Sequence, residues 1–101
     1  MILSLDVSSK CTGWAKYSQS GNLLSYGSFK PANLSDFYTQ LLLLIDQCTE
    51  VVAEQIFCGI NKNVFKVLAK HQGIVELVCE QHGLPLKLVS AIQWRKALGW
   101  P

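Results

Sequence analysis

Three strand-like runs crowd into the first 29 residues, and the links between them suit only antiparallel pairing. Ile2 to Val7 alternates: Leu3, Leu5 and Val7 line one face of an extended strand, and Ile2, Ser4 and Asp6 line the other. Ser8-Ser9-Lys10 is a polar turn, and Thr12 to Ser18 reads as a second strand. Ser20-Gly21-Asn22 marks a hairpin, after which Leu23 to Phe29 reads as a third strand. Parallel neighbours need a crossover of about a dozen residues or more. These three strands therefore predict an antiparallel meander.

After Pro31 the period changes. Leu34, Phe37, Tyr38, Leu41, Leu42, Ile45 and Cys48 recur at the spacing of a helix with one buried face. Ser35 is expected to cap it, with Asp36 in the first turn, where an acid is favourable. Val51 to Ile56 is a short apolar run interrupted by Glu54, expected as a buried fourth strand. Asn61 to Asn63 is a loop and cap region. Val64, Val67, Leu68, His71, Ile74, Val75 and Val78 predict a second amphipathic helix ending near His82-Gly83, with Gly83 just past its end. Gly73 sits inside that helix, where it costs about 1 kcal/mol relative to Ala; close approach to the sheet or another helix is the expected reason. Leu84 to Val89 reads as a fifth strand, and Ser90 is expected to cap a last helix running through Leu98. With right-handed crossovers, this order predicts an α/β fold. Its five-stranded mixed sheet has order 3-2-1-4-5, strands 1–3 antiparallel and strands 1, 4 and 5 parallel, flanked by helices.

The 101 residues suit one domain spanning 1–101; half are hydrophobic and 16% charged, a globular balance rather than a disordered one. The net charge of +2 permits a nucleic-acid partner without arguing for one. Cysteines at 11, 48, 58 and 79 form no Cys-x-x-Cys pair and do not cluster with the histidines, which argues against zinc. Met1 leads straight into the first strand without a signal peptide, so reduced thiols and a cytoplasmic location are expected. The longest apolar run, Leu41 to Ile45, is far below the roughly 20 residues of a membrane span, and no membrane partner is expected.

Asp6 and Glu54 carry the chemistry in this reading. Asp6 lies at the C-terminal end of the first strand and Glu54 near the C-terminal end of the fourth, and in the 3-2-1-4-5 sheet those strands are parallel neighbours about 4.8 Å apart. Both carboxylates then emerge at one edge, close enough to share a Mg²⁺ with oxygens at about 2.1 Å. Without a cation, two such carboxylates repel and one tends to stay protonated. Each acid also interrupts a segment expected to be buried, where an unpaired charge is expensive. The plainer alternative is that each acid merely ends its strand and faces water.

The stretch Leu3-Ser4-Leu5-Asp6-Val7-Ser8-Ser9-Lys10-Cys11-Thr12-Gly13-Trp14-Ala15 resembles the first motif of RuvC-type Holliday junction resolvases, in which a strand ends in a catalytic Asp and leads to Thr-Gly. Val52-Ala53-Glu54-Gln55-Ile56-Phe57 resembles the second motif, where Glu-Gln follows an apolar strand. Asn61 and Gly73 fall at the family's distances from that Glu. Leu84-Pro85-Leu86 and Gln93-Trp94-Arg95-Lys96 resemble the next strand and helix. Val7-Ser8 replaces the usual Pro-Gly, as bacteriophage-type relatives often vary there. The resemblance covers essentially the whole chain and implies a ribonuclease H-like fold.

It also implies metal-assisted phosphodiester hydrolysis in branched DNA such as a four-way junction, with Mg²⁺, or Mn²⁺ in its place, on Asp6 and Glu54. It implies phosphate contacts from Lys10 and Arg95, base stacking on Phe57, and work as a homodimer. Lys10 fits a solvated loop equally well, and Phe57 a core position. Leu43 and Leu44 widen the first helix's apolar face, toward either a partner chain or a further segment of this one. The family carries its remaining acids on a later C-terminal helix, and no Asp or Glu follows Glu80. The chain is therefore expected to be C-terminally truncated and to be incomplete as a catalyst. Two other readings stand beside this one. One is a module that binds DNA structure or a protein without cutting. The other is an actin-like or sugar-kinase nucleotide-binding domain, which shares the β-β-β-α-β-α core; the glycine-poor Ser8-Ser9-Lys10 turn and Glu54-Gln55 fit the nuclease better.

Overall fold

The computed structural model describes residues 1–8, 10–55 and 62–90. Within them, strands β1 (Ile2–Val7), β2 (Thr12–Tyr17) and β3 (Leu23–Phe29) precede helix α1 (Leu34–Leu44), strand β4 (Glu50–Glu54), helix α2 (Lys62–Gln81) and strand β5 (Leu86–Val89). The strands form one sheet of order β3-β2-β1-β4-β5. β1–β2 and β2–β3 are antiparallel, whereas β1–β4 and β4–β5 are parallel. This is the mixed sheet that turn lengths and crossover handedness predict.

Alternation decides which face is buried. Leu3 and Leu5 of β1 stand beside Val51 and Ala53 of β4, and all four are at most 5% exposed. Phe37 and Leu41 of α1 and Val75 and Val78 of α2 belong to the same core. Burying one such Leu or Val side chain stabilises the fold by about 1.5–3 kcal/mol. Ile2, Ser4 and Asp6 fall on the opposite face, where no described helix packs. Trp14 is half-buried against the core and lies over Gly27, its partner on β3. A Cβ at Gly27 would come within 2.8 Å of the indole, so only glycine admits the ring there. The β2–β3 hairpin closes through Gly21 at φ +91°, a conformation that favours glycine.

Several boundaries depart from expectation, each for a local reason. The α1 cap is Asn33, not Ser35: its Oδ1 accepts from Asp36 N–H at 2.8 Å, and Asp36 Oδ2 accepts from Ala32 N–H at 2.8 Å. α1 ends at Leu44 rather than carrying on to Cys48, because Ile45 caps it and Gln47 turns left-handed at φ +63°. β5 begins at Leu86 and not Leu84. Gly83, at φ +66°, ends α2, and Leu84 N–H then bonds back to the Cys79 carbonyl at 2.8 Å, so Leu84 belongs to the helix cap. Gly73 makes no close approach: it is exposed, and a Cβ there would meet nothing within 4 Å. The expected helix after Ser90 lies outside the described residues. Cys11, Cys48 and Cys79 are free thiols. Burial pushes the Cys48 and Cys79 thiols up, which keeps them protonated and inert.

Candidate functional site

β1 and β4 run in register with Leu5 opposite Ala53. Asp6 and Glu54 are the next residue on each strand, so they stand side by side at the carboxyl edge of the two central parallel strands. Both point to the face opposite α1 and α2. Both are exposed, contrary to the burial expected of them. The difference has a simple cause: each acid sits where its strand ends, on the face that no described helix covers. The acids are therefore tolerated by exposure. What distinguishes them is their shared edge and face.

Across β2, Gly13 is the partner of Asp6. Only a hydrogen occupies the position from which a Cβ would contact Asp6 Cβ at 3.9 Å. The turn after β1 is pinned by one side chain. Ser8 Oγ donates to the Cys11 carbonyl at 2.7 Å and accepts from Cys11 N–H at 3.1 Å and Lys10 N–H at 3.4 Å. Lys10, exposed on this turn, is thus carried by a held backbone four residues from Asp6.

Two hard carboxylates at one edge suit a divalent cation that keeps several waters, as Mg²⁺ does. Among the described residues no three His, Cys, Asp or Glu side chains gather into a metal-binding group. Phe57 and Arg95 lie outside the described residues. His71, on the apolar side of α2, is packed as expected: 9% exposed, edge-on to Phe37 at 4.6 Å, with Nδ1 2.7 Å from the Val67 carbonyl. Sequence reasoning passed over the four-residue spacing of Lys62, Lys66 and Lys70, which was visible in the sequence.

A mixed 3-2-1-4-5 sheet flanked by helices defines a ribonuclease H-like fold. The chain is similar to the RuvC of Thermus thermophilus in complex with a Holliday junction substrate, with a TM-score of 0.82 and 14% identity over 97% of this chain and 70% of that one. A second Thermus thermophilus RuvC structure matches with a TM-score of 0.79 and 15% identity, over 97% of this chain and 68% of that one. No protein-family model matches the sequence, and no curated protein matches it. The likeness is one of fold. No helix among the described residues is long and apolar enough to cross a membrane.

Proposed function

We propose that the chain, a single domain over residues 1–101, is a metal-dependent endonuclease of the Holliday junction resolvase type, acting on branched DNA. The observation that carries this reading is the placement of Asp6 and Glu54 side by side at the carboxyl edge of two parallel strands. The similar RuvC structure that holds a Holliday junction supports the choice of substrate. Asp6 and Glu54 would hold Mg²⁺ or Mn²⁺, Asp6 from β1 and Glu54 from β4. Bound there, the cation would activate water and neutralise charge on the scissile phosphate. Lys10 meets a neighbouring phosphate as an exposed point charge. By resemblance, Phe57 stacks on a base and Arg95 contacts the backbone. Homodimer formation matches the two-fold symmetry of a junction, and Leu43 on α1, 68% exposed, is an apolar side chain open to a partner.

The test is incubation of the chain with a labelled four-way junction and Mg²⁺ or Mn²⁺, beside Asp6→Asn and Glu54→Gln. Paired cuts by the unsubstituted chain that both substitutions abolish would establish the nuclease and show that the family's later acids are dispensable or supplied otherwise. Absence of cutting by a folded sample would instead favour a module that binds without cleaving. That second reading draws on the two-carboxylate set seen among the described residues.

A further inference from the structure

Helix α2 carries its charges in an order its own dipole disfavours. Lys62, Lys66 and Lys70 fall in its N-terminal half, and Glu76 and Glu80 in its C-terminal half. Helix N-termini favour anions and C-termini cations within the end turns, so Lys62 and Glu80 each stand at the end that disfavours their charge. The four-residue spacing sets the three lysines beside one another on the helix surface, where like charges repel. No Asp or Glu lies within five residues of any of them along the chain. All three are exposed. Nothing within the helix explains the row, and it weakens the helix that bears it.

The row sits at the edge that carries the acids. α2 follows β4 and runs back against it toward β5, so its lysine half lies where Asp6 and Glu54 emerge. Lys70 faces Lys10 across a cavity of about 280 Å³ between the β1–β2 turn, the start of α1 and α2. Ser8, Asn33 and His71 also line the cavity, and among the described residues no Asp or Glu does. Asp36, the nearest acid on α1, has its carboxylate engaged with Ala32 N–H. Two cations from separate elements thus meet over a space free of acids, at the positive end of an 11-residue helix.

We infer that Lys62, Lys66 and Lys70, with Lys10 opposite Lys70, form a phosphate-binding track for one strand of a nucleic acid. The row is about 12 Å long, and its three lysines can each meet one phosphate of a strand laid along it. Lysines act there as point charges that position the backbone without reading bases. The acids face away from the helices, so a strand on the track reaches them by passing over this edge. The identity of the ligand rests on the proposed nuclease reading.

The experiment measures binding of a labelled four-way junction by fluorescence anisotropy over a salt series, with Ca²⁺ replacing Mg²⁺ to suppress cutting. Each phosphate that a substitution leaves without its lysine lowers the slope of log affinity against log salt by about 0.9. The combined Lys62→Gln, Lys66→Gln, Lys70→Gln variant is expected to reduce the slope by about 2.7, equally on a plain duplex. Lys16→Gln, at the other end of β2, is expected to keep the original slope. Unchanged slope and affinity in the triple variant, with circular dichroism showing an intact fold, would overturn the track. Cutting is scored separately with Mg²⁺. Cutting with an unaltered slope in the triple variant removes the track and leaves the nuclease standing. A reduced slope in the triple variant, with no cutting by the unsubstituted chain, keeps the track and removes the nuclease.

Discussion

Thr12 shows how a single side chain can oppose the fold that buries it. It opens β2, opposite Val7 and Phe29, and is 1% exposed. Among the described residues its Oγ1 has no hydrogen-bond partner. A buried hydroxyl left unpaired costs about 1–3 kcal/mol. Val has the same branched shape without the oxygen, and its β-branching suits a strand. Thr12→Val is therefore expected to raise stability by about 1 kcal/mol. Urea denaturation checks this, and a midpoint that falls would show that the hydroxyl is satisfied. The neighbouring Gly13 takes part in no such conflict. It pairs with Asp6 across β1 and β2, and a Cβ there would meet Asp6 only at ordinary contact distance.

The strands were the most legible elements, because alternation and short turns act locally. Ile2 to Val7 and Leu23 to Phe29 have the bounds read from sequence. The parallel placement of β4 beside β1 followed from crossover handedness, and with it the pairing of Asp6 and Glu54. Helix ends were less legible. Ser35 and Asn33 are both good caps, and which of them serves depends on where the chain leaves β3. Exposure of the two acids was also hidden, since it depends on which face the helices choose. Gly73 is the clearest misreading: an interior glycine suggests a close contact, yet open space surrounds it. Gly73→Ala should then gain helix propensity at no steric cost, stabilising the protein by about 0.5–1 kcal/mol. Thermal denaturation measures it. A destabilised variant would mean that something packs against this position after all.

Taken whole, the molecule has an asymmetric sheet. One face holds the core against both helices, and the other carries Asp6 and Glu54 at its edge with no described helix over it. The acids contribute nothing to that core, so their effect on global stability should appear through what they bind. A cation that binds the folded chain and not the unfolded one stabilises it by about 1.4 kcal/mol at ten times its dissociation constant. For a domain of this size that shifts the melting temperature by roughly 5–10 °C. Saturating Mg²⁺ or Mn²⁺ is expected to raise Tm by such an amount, and EDTA to reverse it. Asp6→Asn removes one of two carboxylates and should abolish the response. Glu76→Gln, which removes an exposed acid from the far half of α2, should keep it. The pair of variants separates a specific site from general screening of negative charge. If both respond like the unsubstituted chain, the two carboxylates do not form a cation site, and the nuclease reading loses its chemical basis whatever the fold resembles.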